Sequence, residues 1–347
     1  MNKKLLALAV ASACVAPSVM AQSANPVTLY GRVYVTVESV KADGGGPGVA
    51  DVANRAQISD NSSLLGVRGT EDLGGGLKAF FQLETGFAAD TSQTSFATRN
   101  SGVGLQGGWG SVLAGRWDSP YKVRGYGPDV YGDLNLGGIT AALHGGAWGF
   151  GSQDLRLANV LQYWSPTMSG FQVKIAQTAN EGKTATLNPS VMSYSVTWKG
   201  GAFDAGYSYQ ESKDFSATIR KVKANQLDGT WKIGSFKLGA IYEELSADIV
   251  TKQKNWLGSV IWTMGKHDFA YQYMNADAGG LKTASTQPSC DVNSLGYFYN
   301  WSKRSQLVAT YVKVDNKDGA RCKFGANDVG SAGQDREGFG VGIKHVF

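Results

Sequence analysis

The chain has 347 residues, 46 of them Gly, with 9 Trp, 15 Tyr and 14 Phe but only 8 Pro, and a formal charge of +5. A balance so near neutral at this length excludes a nucleic-acid binder held by phosphate contacts. A mean hydropathy of −0.20 excludes a bundle of membrane-spanning helices, but it suits a wall of strands whose residues face lipid and water in alternation.

The N-terminus reads as a secretory leader. Asn2-Lys3-Lys4 is basic, Leu5 to Val15 is apolar, and Val19-Met20-Ala21 gives the small-x-small pattern that precedes cleavage. Cleavage is expected after Ala21, leaving residues 22–347 as a single domain. The apolar run is too short to cross about 30 Å of hydrocarbon as a helix. Lys3 and Lys4 leave with the leader, so the mature charge falls to +3.

From residue 27 the dominant period is two. Val27, Leu29, Gly31, Val33, Val35 and Val37 share one face of the first strand, and Tyr30, Arg32, Tyr34, Thr36 and Glu38 share the other. In the third strand Leu77, Ala79, Phe81, Leu83 and Phe87 oppose Lys78, Phe80, Gln82 and Glu84. Charges confined to one face predict a barrel wall with lipid outside and water inside.

The connections fall into two length classes. Tight turns are predicted at 71–76, 107–110, 166–170, 199–201, 233–235, 264–267 and 302–305, where Gly or small polar residues close a hairpin. Longer polar stretches lie at 41–57, 89–98, 118–154, 181–190, 213–224, 247–253, 277–291 and 316–336. Seven turns and eight loops connect sixteen antiparallel strands and put both termini on the periplasmic side. Trp109, Trp117, Tyr163, Trp164, Trp198, Trp231, Trp262, Tyr297 and Trp301 lie near strand ends and are expected to form headgroup girdles, carbohydrate stacking being the competing role. The last strand carries Phe339, Val341, Ile343, His345 and Phe347 on one face, which places the terminal aromatic at its lipid-facing foot.

Four segments in order carry a family resemblance: Val27-Thr28-Leu29-Tyr30-Gly31, Leu65 through Ala79 with its Arg68-Gly69-Thr70-Glu71-Asp72-Leu73-Gly74 core, Gly110 through Arg116, and the terminal His345-Val346-Phe347. Together they resemble Gram-negative general porins of the beta-proteobacterial type. The resemblance implies a sixteen-stranded trimeric barrel in the outer membrane whose third outer loop folds into the lumen and narrows it. It also implies a passive pore for small hydrophilic solutes and ions, without a cofactor, in contact with lipid and lipopolysaccharide. Residues 118–154 support the inward loop independently, being the longest strand-free stretch and rich in Gly and aromatics rather than charge.

The candidate constriction pairs that loop with a basic wall. Asp118, Asp129 and Asp133 are the acidic groups of the loop expected to face it. By parity Arg32, Arg68, Arg116 and Arg156 are expected to face the lumen on strands one, two, five and six, and Arg156 in Arg156-x-x-Asn159 is the position the resemblance carries over most directly. Arg99 shares parity with Val103 and Leu105 and reaches the lumen only through a bulge, and Glu84 is expected to be a pore-lining charge beside Lys78. A surplus of cations facing acids across a constriction predicts weak anion preference.

Once Cys14 leaves with the leader, Cys290 and Cys322 form an even pair on loops of the same side, open to a disulfide or to two free thiols. His144, His267 and His345 show no metal-ligand spacing, and Gly74-Gly75-Gly76 lies in a hairpin rather than before a helix, so no enzyme is expected. The rival readings are a pore selective for sugars or small organic acids and an adhesin or receptor barrel, whose outer loops should be longer.

Overall fold

The computed structural model describes residues 27–91, 95–132, 135–145, 152–248, 250–277, 279–280, 286–287, 289–317, 319–325 and 327–347. The expected leader and Asp133 lie outside these. Sixteen antiparallel strands close into a barrel: β1 (Thr28–Asp43), β2 (Val52–Asp60, continuing as Leu64–Gly74), β3 (Leu77–Gly86), β4 (Ser101–Gly107), β5 (Gly110–Asp118), β6 (Arg156–Trp164), β7 (Phe171–Thr178) and β8 (Ser190–Gly200) form one half. The other half is β9 (Phe203–Lys213), β10 (Lys221–Ile233), β11 (Phe236–Ala247), β12 (Val250–Met264), β13 (His267–Ala276), β14 (Cys290–Asn300), β15 (Ser305–Asn316) and β16 (Asp335–Val346). The loop expected at 247–253 is shorter than its polar composition suggests, because β12 begins at Val250 and Glu244 faces Lys254 in the ladder.

Closure satisfies the backbone, as hydrocarbon demands of any strand that crosses it. β1 pairs with β16 from Arg32↔Val346 to Asp43↔Asp335. The terminal residue completes the seam: Gly31 N donates to Phe347 O at 3.0 Å and Phe347 N donates to Gly31 O at 3.1 Å. Glycine is favoured at position 31, since a Cβ there would lie 2.7 Å from the Leu64 carbonyl oxygen and 2.5 Å from the Phe347 ring. β2 is one strand with a break: Val35 to Ala42 pair with its upper part and Thr28 to Arg32 with its lower part, one residue out of register. Ser62 at the break has φ 63°, and its carbonyl accepts from Arg32 Nη2 at 2.6 Å.

Alternation holds around the wall, and aromatic pairs mark two bands on its outer face. Phe171 with Trp198, Phe203 with Trp231, and Trp262 with both Phe236 and Phe269 lie at the turn end. Tyr194 with Tyr209 and Tyr242 with Trp256 lie toward the loop end. These are the expected girdles, with one correction. Trp117 and Trp164 face inward, because Trp164 is opposite Ser111 and Lys174 on lumenal parity and Trp117 meets it edge to face at 5.8 Å.

The third outer loop enters the barrel, as expected. It starts with a short helix α1 (Pro120–Gly125), capped by Ser119 Oγ accepting from Lys122 N, and includes a 3-10 turn at Ile139–Ala141. Leu136, Ile139, Ala141, Ala142 and Leu143 are fully buried against Ile241, Leu257, Met274, Val292 and Val312, so the main apolar core lies between this loop and the inner wall. The loop therefore lies along the β8–β16 side and reaches β1, where Asn135 Nδ2 bonds the Tyr34 hydroxyl.

Candidate functional site

Loop 3 is fixed to the wall by ionic and polar bonds, which decides where its acids point. Arg124 on α1 bonds Asp204 at 2.9 Å and also holds Asp228. Tyr121 donates its hydroxyl to Glu243, whose carboxylate also accepts from His144 N at 2.9 Å and from Asn255 Nδ2 at 2.6 Å. His144 is fully buried with Nε2 2.8 Å from Gln226 Oε1 and Nδ1 3.4 Å from Asp154 Oδ1. Burial disfavours the imidazolium, but the Asp154 contact and the Glu243 charge outweigh it and hold the His144 pKa above its usual value. Burial likewise raises the Asp154 carboxyl, and His144 and Lys122 overcome that and hold it near 2.

Asp129 and Asp118 serve this seating rather than the pore. Asp129 is buried and accepts from Ile139 N, Tyr131 N and Gln272 Nε2. Asp118, also buried, bonds Arg156 at 3.0 Å and lies 3.8 Å from Lys122. The expected row of acids facing the basic wall is therefore absent among the described residues, since a buried carboxylate is retained only where donors surround it.

The arginines divide by register. Arg32 and Arg68 have lumenal parity, and Arg68 lies 5.0 Å over the lumenal Tyr30 ring. Arg99 reaches the lumen, because the β3–β4 ladder shifts by one residue beyond Gln82↔Gly102: Glu84 O accepts from Arg99 N, and Arg99 Nε bonds Glu84 Oε1 at 2.6 Å. Glu84 is lumenal and accepts from Tyr30 as well. Arg116 is a correction. It has the parity of Val112 and Ala114, opposite exposed Leu105 and Val103, so it lies on the outer face with Nε bonded to Thr98 O.

Arg156 is corrected differently. Between Gly115↔Val160 and Trp117↔Leu157 the register slips, with Asn159 at φ 50° as the extra residue. A bulge inverts the alternation beyond it, so Leu157 is the residue that packs with Val160 and Trp117. The Arg156 guanidinium turns to Asp118 and to Asn100 Oδ1 at the root of loop 3.

Sequence reasoning missed the lysines. Lys174, Lys232, Lys237 and Lys344 carry lumenal parity in the periplasmic halves of β7, β10, β11 and β16, and Lys232 stands directly opposite Lys237. Lys237 donates to Gly127 O of loop 3 at 2.7 Å, and Lys344 lies over the Tyr34 ring. The signal was present in the alternation of Lys174 with Val173 and Ile175, and of Lys237 with Phe236 and Leu238. Like charges opposite one another in a sheet cost stability, and the Lys237 bond to loop 3 offsets part of that cost.

A closed barrel of this strand number with an inserted third loop fixes the architecture, and the comparisons with known proteins fix the family. The model of the Gram-negative porin family matches residues 7–319. The chain belongs to that family. The porin is 30% identical to outer membrane porin protein 32 of Delftia acidovorans over the full length of both chains. It is 26% identical to the major outer membrane protein P.IB of Neisseria gonorrhoeae, over 89% of this chain and 92% of that one. Among solved structures it is similar to the anion-selective porin from Comamonas acidovorans, with a TM-score of 0.77 and 25% identity over 93% of this chain and all of that one. The porin is an outer-membrane protein, and family and fold alike indicate a channel rather than an enzyme.

The cysteines meet in the structure. Cys290, the first residue of β14, is bonded to Cys322 of the eighth loop with 6.2 Å between Cα atoms, within the range a disulfide requires. That loop reaches loop 3: Lys323 N donates to Ala141 O, and Gly325 N to Leu136 O.

Proposed function

We propose that this porin is a general diffusion pore for small hydrophilic solutes and ions with a weak preference for anions, working as a homotrimer. The observation that carries the preference is the imbalance of charge in the lumen. Arg68, Lys174, Lys232, Lys237 and Lys344 have lumenal parity and no carboxylate within salt-bridge distance among the described residues, whereas of the lumenal carboxylates Glu84, Asp204 and Asp228 are each bonded to an arginine and Glu38 and Asp268 are held by neutral donors. An excess of cationic side chains in a lumen walled by low dielectric raises the local concentration of permeating anions. The relative described as an anion-selective porin supports the same sign. Outward Val33 and Val35 on β1 present a low-relief face suited to close contact between barrels.

Zero-current potential across a planar bilayer in a potassium chloride gradient tests the preference. A potential of the sign set by chloride supports it, and one set by potassium removes it. Light scattering in mild detergent tests the trimer, which a monomeric mass would exclude.

A further inference from the structure

The lumen of a diffusion pore is expected to be polar, yet the β3–β6 wall holds three large aromatic side chains turned toward water. Phe80, Trp117 and Trp164 are half-buried, on lumenal parity, below the root of loop 3. They line a recess of about 340 Å³ together with Arg68, Gln82, Gln106 and Ser111, a volume in the range of small-molecule sites. The two indoles meet edge to face at 5.8 Å, and both side chains stay partly accessible. None of the three touches lipid, so the girdle role does not account for them.

Cations flank the recess on both sides. Arg68 lies within its lining, and Lys174 lies 4.8 Å over the Trp164 ring. Among the described residues neither has a carboxylate partner within bonding distance, and both contact aromatic faces instead. Aromatic surface beside unneutralised cations is complementary to one class of solute: a flat apolar ring bearing a carboxylate. A sugar would use the rings but not the charges, and chloride the charges but not the rings.

We propose that this recess binds aromatic carboxylates in transit, with the ring seated against Phe80, Trp117 and Trp164 and the carboxylate turned to Lys174 or Arg68. The proposal rests on the chain being a pore and makes that pore selective for amphipathic organic acids among the anions it passes.

Benzoate, acetate and benzyl alcohol are the probes, added to purified porin conducting chloride in a planar bilayer. Benzoate should reduce the chloride current saturably, at a half-blocking concentration about tenfold below that of acetate, the gain expected from seating one ring. Neutral benzyl alcohol should block more weakly than benzoate. In Trp117→Ala/Trp164→Ala the benzoate-to-acetate ratio should fall toward one, whereas Trp164→Phe should keep most of it, which separates loss of the site from a misfolded barrel. Lys174→Gln should weaken benzoate and acetate together. Equal block by benzoate and acetate in the unmodified porin, or an unchanged ratio in the double tryptophan variant, overturns the site while leaving the pore intact. Absence of any chloride current would instead overturn the pore reading.

Discussion

Arg156 bonds Asp118 across the root of loop 3, with Nη2 3.0 Å from Oδ1, and its Nε reaches Asn100 at 3.1 Å. The two residues are partners at the end of the β5–β6 ladder, where the barrel wall gives way to the loop. Both side chains are largely buried, so the pair is shielded and its geometry decides how the loop leaves the wall.

The first prediction follows from that pairing. Removing one partner leaves the other charge buried with fewer donors or acceptors, which is costly. Arg156→Gln and Asp118→Asn should each lower thermal stability in detergent and increase voltage-driven closure. The double variant should lose less than the two singles combined, with a coupling of about 1–3 kcal/mol. Additive losses would show that the pair does not hold the loop.

Selectivity should follow lumenal parity rather than arginine content. Arg68→Glu reverses a charge in the lumen and should shift the anion-to-cation permeability ratio about twofold or more toward cations. Arg116→Glu, on the outer face, should leave the ratio where it was. The reverse result, from the same zero-current potentials, would mean that the lumen is lined otherwise.

The seat of loop 3 should depend on pH with a definite sign. His144 meets oxygens at both ring nitrogens, from Asp154 and Gln226, with Glu243 and Lys122 close by. Its pKa is raised above the ordinary 6.5, so its contribution is complete below that value and is lost as pH rises through the folded pKa. Asp154 is lowered from 3.8 to about 2, so its contribution is present above 3.8 and is lost as pH falls through about 2. Loop closure and proteolytic resistance should therefore be greatest between about pH 4 and 6.5, and His144→Gln should flatten the upper limb. A variant with the same upper limb would assign it to another group.

Reduction of Cys290–Cys322 should release the eighth loop. The bridge closes a segment with a sequence separation of 32, and closure of that length stabilises by about 3–4 kcal/mol in the chain-entropy model. The Cys290→Ser/Cys322→Ser variant should show faster tryptic cleavage at Arg321 and Lys323 and more frequent current closures, because this loop's backbone bonds hold loop 3. Two thiols alkylated after unfolding without reductant, read by mass spectrometry, would remove the bridge.

Strand number, barrel class and the outward foot at Phe347 were legible in the sequence because each rests on a local pattern: period-two alternation, glycine turns and two classes of connection. Lipid on one face and water on the other enforce that alternation at every position of a crossing strand. The side of a given arginine was less secure, because parity propagates along a strand only until one extra residue inverts it. Slips at Arg99 and Asn159 moved one arginine into the lumen and turned another to the root of loop 3. Trp117 and Trp164 have the composition of girdle residues, and only the register with Ser111 and Lys174 turns them inward. The seating of loop 3 depended wholly on tertiary structure: Asp129 is satisfied by Gln272 and Asp118 by Arg156, distant in sequence. Such partners are brought together by closure of the barrel, and no local period encodes them.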